Sequence, residues 1–124
     1  MRSTLAGVAD DGGLGERIRA LLAAEPGITE RRMFGGLAFL VDGNMAVAAS
    51  GRGVLMVRIH PTDAARLLDR PGARPMEMRG RPLRGWLEID DAGVRTARQL
   101  GAWVRVGVGC ARSLPAKADQ PASS

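Results

Sequence analysis

The chain has 124 residues, the length of a single domain, and 45% of them are hydrophobic, which is enough to build a core without metals or disulfides. No run of about 18 apolar residues occurs, and the first residues lack the apolar centre of a secretory signal, so we expect neither a membrane segment nor a signal peptide. The single cysteine, Cys110, excludes an internal disulfide, and we therefore expect a cytoplasmic protein.

The positive charge has two interpretations. The net charge is +5, and arginine supplies nearly all of the cations because Lys117 is the only lysine. Arginine matches phosphate geometry, which indicates nucleic-acid contact. A G+C-rich genome also raises Arg, Ala and Gly together, without any functional cause. The scattering of the arginines along the chain favours this second interpretation.

The first half of the chain predicts a helix followed by four strands. Residues 1–13 have no periodicity and are interpreted as a flexible leader. Apolar residues then recur at helical spacing, which predicts an amphipathic helix that ends at Pro26-Gly27, with an apolar stripe of Leu14, Ile18, Leu21 and Leu22. Alternating and apolar runs predict strands at residues 29–34, 37–41, 45–50 and 54–59. Asp42-Gly43-Asn44 predicts a hairpin turn between the second and third of them.

The second half predicts a helix, two short strands and a final helix. Pro61 suits a helix start, and Leu67 and Leu68 should face inward. Residues 70–75 are interpreted as a loop, and the strands 76–80 and 84–90 as joined at Arg81-Pro82. The last helix should run from about Val94 to Leu114, although its segment VRVGVG also alternates like a strand and its two glycines each cost about 1 kcal/mol in a helix. The tail, residues 115–124, is expected to be disordered.

This order of elements, α-β(4)-α-β(2)-α, predicts the fold class. Consecutive strands with short turns form an antiparallel sheet, here of about five to six strands. Helices that bracket the strands cover one face of that sheet. We therefore predict a two-layer α+β domain over residues 14–114.

No group of residues predicts catalysis, a cofactor or a metal. A zinc site needs three or four ligands, and the chain offers one histidine, His60, and one cysteine, Cys110. The carboxylates of Glu88, Asp90 and Asp91 could do acid–base chemistry, but a run that leaves a strand is more typical of a solvated turn and helix cap. No glycine-rich phosphate loop follows a strand. An enzyme that uses His60 or these carboxylates is kept as the third hypothesis.

The stretch RGRPLRGW, residues 79–86, combines three arginines with one of the two tryptophans. Strand alternation places Leu87 and Ile89 in the core and the intervening side chains on the uncovered face of the sheet. That face is predicted to carry Met56, Arg58, Arg84 and Trp86. A mixed apolar and cationic surface suits a protein contact or a homodimer, and it could also stack a base. The alternative is an intramolecular cation–π contact between an arginine and Trp86.

Two segments together resemble a known family. Residues 32–36, RMFGG, followed by an apolar strand and a DGN hairpin, resemble the start of the TfoX (Sxy) N-terminal domain family. Residues 81–86, RPLRGW, resemble the basic–proline–apolar–Arg–Gly–aromatic segment of that family. The resemblance runs from about Leu14 to Leu114. Its motif residues are Met33, Phe34, Gly35, Gly36, Pro82, Arg84, Gly85 and Trp86.

The resemblance implies a small α+β domain of a family named for regulators of natural competence, with no established catalytic residues. Those regulators also have a C-terminal helical domain, so this chain looks like a stand-alone N-domain. The leading hypothesis is therefore a non-enzymatic regulatory protein that works through a protein partner or as a homodimer. The second hypothesis is direct nucleic-acid binding. The candidate contacts for the two are Arg31, Arg32, Met56, Arg58, Arg79, Arg81, Arg84 and Trp86.

Overall fold

The computed structural model describes residues 13–33 and 35–116. Three parts of the chain lie outside the described residues: the predicted leader up to residue 12, the motif residue Phe34, and the predicted tail from residue 117. Within the described ranges the chain forms an α+β fold in the predicted order. The helices are α1 Leu14–Leu21, α2 Ala64–Leu67 and α3 Ala97–Arg112, and the strands are β1 Ile28–Met33, β2 Gly36–Val41, β3 Asn44–Ala49, β4 Leu55–Arg58, β5 Ala73–Met78 and β6 Arg81–Ile89. No described helix is long and apolar enough to cross a membrane.

The six strands form one antiparallel sheet in the order β1-β2-β3-β4-β6-β5. The predicted β2–β3 hairpin turns at Asp42-Gly43, both with positive φ. The last hairpin turns at Arg79-Gly80, with φ values of 55° and 80°, so its predicted turn at Arg81-Pro82 is wrong. The predicted loop before it is also partly strand, because β5 begins at Ala73. Pro75 is tolerated there since β5 is an edge strand.

The helices pack on one face of the sheet and form the main core with it. Leu14, Ile18 and Leu22 of the first helical segment are buried, but Leu21 is 43% exposed, so its predicted inward position is wrong. The segment from Pro61 begins as a 3₁₀ turn, Pro61–Asp63, and continues as the single turn α2, whose Leu67 is fully buried.

The last helix begins later than predicted because a cap fixes its start. Thr96 accepts a hydrogen bond from the backbone N–H of Gln99, and the Gln99 side chain accepts one from the Thr96 N–H. The predicted first residues instead follow a 3₁₀ turn at Asp91–Gly93. The ambiguous VRVGVG segment is helical and packs on β3 and β4.

The opposite face of the sheet is uncovered, because no described helix packs on it. We call it the open face. It carries a second apolar cluster whose buried members are Ala38, Leu40, Ala48, Met56 and Met76. Four half-buried side chains pack around them, namely Met33, Met45, Leu83 and Trp86. The domain therefore has two apolar surfaces and one helical layer to cover them.

Candidate interaction surface on the open face

The open face has a groove of about 180 Å³. Its lining is apolar and rich in methionine: Met45, Met56, Met76, Met78, Leu83 and Trp86. We call it the methionine groove. Met78 at its border is 46% exposed, and the floor is the buried pair Met56 and Met76. Unbranched methionine side chains adapt to the shape of whatever packs on them.

Arg58 and Trp86 meet across β4 and β6, where they are directly opposite in register. The Arg58 guanidinium carbon lies 5.2 Å from the centre of the Trp86 ring, so the intramolecular cation–π contact considered above does form. The contact leaves the Arg58 Nε buried without a hydrogen-bond acceptor among the described residues. Arg58 is thus half-buried in an apolar face, and not all of its N–H groups have a hydrogen-bond acceptor among the described residues.

Arg84 does not join this cluster, and the predicted regular alternation through β6 is wrong at this point. Gly85 has a φ of 85°, and the register with β5 shifts in the same region. As a result Leu83 packs beside Trp86, while Arg84 is exposed. From Trp86 onward the alternation holds, since Trp86 and Glu88 lie opposite Arg58 and Met56.

The remaining predicted arginine contacts are divided between the two faces. Arg31 is opposite Ala38 and so lies on the open face, whereas Arg32 is opposite Leu37 on the helix side. Arg81 is opposite Met78 and borders the methionine groove. Arg79 occupies the hairpin turn, where its positive φ is unusual for arginine. The structure therefore does not bring the predicted arginines into one patch.

Sequence reasoning found Met56, Arg58 and Trp86 but missed four residues of the groove: Met45, Met76, Met78 and Leu83. The alternation of Met76 and Met78 around Glu77 was a usable signal, because both methionines fall on one face of a strand. Leu83 carried no such signal. Its position depends on the irregular backbone at Gly85.

Residues 20–111 match the family model of the TfoX N-terminal domain. The chain belongs to this family. The resemblance inferred from two short motifs is thereby confirmed, and the match runs from α1 into α3. No curated protein matches the chain.

In this TfoX N-terminal domain, backbone conformation or close backbone contact explains why the described motif glycines are glycine. Gly35 has a φ of 71°, and a Cβ on Gly36 would overlap the carbonyl oxygen of Ala49 on the neighbouring strand. Gly85 has a positive φ within β6, at the point where the regular side-chain alternation of that strand changes. Pro82 lies in β6 opposite Glu77, one residue after the strand begins. These residues shape the hairpins that carry the open face.

The residues of the third hypothesis, His60 and the carboxylates at the end of β6, make local contacts in this TfoX N-terminal domain. The Ser113 hydroxyl donates to the Cys110 carbonyl at 2.6 Å, and its oxygen lies 3.4 Å from the His60 Nε2. Glu88 is paired with Arg74 at 3.2 Å, and Asp90 caps the Ala92 N–H. Among the described residues, no three His, Cys, Asp or Glu side chains form a group that could hold a metal ion.

Cys110 offers a direct chemical check, because it is the only thiol in the chain. Burial raises the pKa of the thiol above its usual value, which keeps the sulfur protonated near neutral pH. We expect iodoacetamide to label the folded protein at least about tenfold more slowly than the denatured protein, because both shielding and the low thiolate fraction oppose the reaction. Mass spectrometry over time measures this ratio. Equal rates would mean that Cys110 is accessible and reactive in the fold.

Proposed function

We propose that this TfoX N-terminal domain is a non-enzymatic cytoplasmic binding domain that acts in regulation through protein contacts made by its open face. The observation that carries the proposal is the second apolar cluster on the open face, where no described helix packs. Apolar surface left in water costs about 25 cal/mol per Å² relative to burial. A partner that covers the open face would recover that free energy.

The shape of the methionine groove favours a macromolecule over a small substrate. Small-molecule pockets usually measure about 300–1,000 Å³ and contain a few convergent polar groups. The methionine groove is smaller, about 180 Å³, and its lining side chains are apolar. A shallow apolar site of this size can accept one or two side chains of a docked protein.

Nucleic acid is the second candidate and has less support. Sequence-tolerant binding of single strands needs cations along a groove and aromatic rings open to stacking. Here Arg58 lies over the Trp86 ring, and Arg31 and Arg32 lie on opposite faces. We therefore expect no co-sedimentation with a mixed-sequence DNA duplex at low salt. Binding whose logarithm falls with log salt by about 0.9 per phosphate contacted would support the nucleic-acid function instead.

The protein-contact function is tested by selecting short displayed peptides on the immobilised domain. We expect peptides that bind the wild type and are lost on Met78→Ala and Trp86→Ala, because both changes remove apolar contact area from the methionine groove. Leu21→Ala is the matched control, since Leu21 is similarly exposed, at 43%, but lies on the helix side.

The loss on the two groove variants should be about tenfold or more in affinity, measured by titration of the selected peptides. Circular dichroism checks that all three variants are folded. Selected peptides that lose affinity on Leu21→Ala instead would place the contact surface between α1 and α3. Failure to select any peptide that depends on Met78 or Trp86 would contradict the proposal.

A further inference from the structure

We infer that the open face takes an acidic apolar protein segment, one that presents large apolar side chains together with Asp or Glu, and not a second copy of this chain. The inference rests on the proposed function, whose surface it uses. It follows from the positions of the charged side chains around the methionine groove.

The open face has no carboxylate to spare. Three carboxylates lie in the strands, namely Glu30, Glu77 and Glu88. Glu30 is opposite Phe39 on the helix side and binds Arg19 at 2.7 Å, while Glu77 alternates with the two groove methionines and so points away from them. Glu88 is on the open face but is already paired with Arg74 at 3.2 Å.

The arginines beside the groove, in contrast, have no acidic partner among the described residues. Arg58, Arg79 and Arg81 form no ion pair there, as is also true of described arginines elsewhere such as Arg52 and Arg98, and only the first three lie beside the groove. Arg58 is half-buried beside Trp86, and no described residue accepts a hydrogen bond from its buried Nε. A cation partly removed from water gains most when an oppositely charged group approaches it. The groove border is therefore complementary to carboxylates.

The open face of a second copy is poorly suited to supply these carboxylates. Two open faces brought together would place the arginines beside one methionine groove near those of the other. Such like-charge contacts oppose association by several kcal/mol. Pairing through the sheet edges is also disfavoured, because β1 carries Glu30, Arg31 and Arg32 in succession and β5 contains Pro75. An acidic partner from another chain meets none of these obstacles.

The complementary partner can be described in chemical terms. One or two of its apolar side chains would fill the methionine groove, where Met45 and Met78 can move to accommodate them. A carboxylate next to those side chains would reach Arg81, which is opposite Met78 at the groove border, or the guanidinium of Arg58. Arginine and carboxylate form paired, charge-assisted hydrogen bonds, which would fix the register of the segment.

The test uses two displayed peptide libraries that share the same randomised apolar positions. The first library fills the other positions with Asp, Glu and Ser, and the second fills them with Lys, Arg and Ser. We expect wild-type protein to enrich the first library and not the second. The selected acidic peptides should bind Arg81→Glu at least about tenfold more weakly than wild type and more weakly at high salt. Arg98→Glu, an exposed change on α3, is the charge-matched control and should bind like wild type.

The other outcomes separate the inference from the proposed function. Binders from the basic library that are lost on Met78→Ala would overturn the acidic partner and keep a protein-binding face. A concentration-dependent dimer in sedimentation equilibrium, abolished by Trp86→Ala, would show that the occupant is a second copy. Displacement of bound acidic peptides by single-stranded DNA would assign the face to nucleic acid. No binder that depends on Met78 or Trp86 from either library would overturn both proposals.

Discussion

Trp103→Ala is expected to lower the free energy of unfolding by about 3–5 kcal/mol, whereas Trp86→Ala should lower it by only about 1–2 kcal/mol. Trp103 is 2% exposed in the core between α3 and the sheet, with Arg70 stacked 5.3 Å from its ring centre. Its removal leaves a large cavity that the surrounding strands cannot fill. Trp86 is half-buried on the open face, so solvent already covers part of its ring. Urea denaturation followed by circular dichroism measures both values.

The comparison of the two tryptophans separates a binding surface from a second core. A domain of this size has a total stability of about 5–15 kcal/mol, so Trp103→Ala could unfold a large fraction of the molecules. Trp103→Phe is the control, because it retains an aromatic side chain in the core and should recover most of the loss. Equal losses for Trp86→Ala and Trp103→Ala would show that the open face mainly stabilises the fold, and would weaken its proposed role in contacts.

Local residue chemistry was sufficient to predict the fold class and several turns. The β2–β3 hairpin was predictable because Asp-Gly is a strong signal for a two-residue turn with positive φ. The turn of the β5–β6 hairpin was predicted at the wrong residues. Arg79 takes a positive φ that arginine seldom adopts, and Pro82 is of a residue type that is common in turns. The structure shows that a proline near a strand start does not interrupt β6.

The methionine groove was less predictable because it depends on three-dimensional register. Alternation within single strands correctly placed Met56, Arg58 and Trp86 on one face. It could not place Leu83, since the backbone at Gly85 changes the side on which the preceding residues lie. Nor could it show that Met45 of β3, Met56 of β4 and the two methionines of β5 line one groove, because strand order is a non-local property.

The last helix was also hard to predict from local sequence, because its tertiary contacts decide between a helix and a strand. Its segment VRVGVG has the alternation of a strand and two glycines that disfavour a helix by about 1 kcal/mol each. The helix forms because Val104, Val108 and Ala111 pack into the core and a capping box fixes the first turn. The packing of α3 on β3 then requires glycine at position 107 but not at position 109.

Gly107→Ala is therefore expected to destabilise the protein by about 1–3 kcal/mol, and Gly109→Ala to stabilise it by about 0.5–1 kcal/mol. A Cβ on Gly107 would lie 2.5 Å from the Ala46 carbonyl oxygen and 2.6 Å from a Val47 methyl carbon, so α3 would have to move away from β3. A Cβ on Gly109 would meet no heavy atom within 4 Å, which leaves only the gain in helix propensity.

Chemical denaturation of the two single variants tests this difference in sign. Both substitutions replace glycine with alanine, two positions apart in the same helix. Helix propensity alone therefore predicts the same gain in stability for each. Stabilisation by both would mean that α3 does not approach β3 as closely as described. Opposite signs would show that close contact at Gly107 positions α3 on the helix side of the sheet. With α3 packed there, the open face is the surface of the sheet on which no described helix packs.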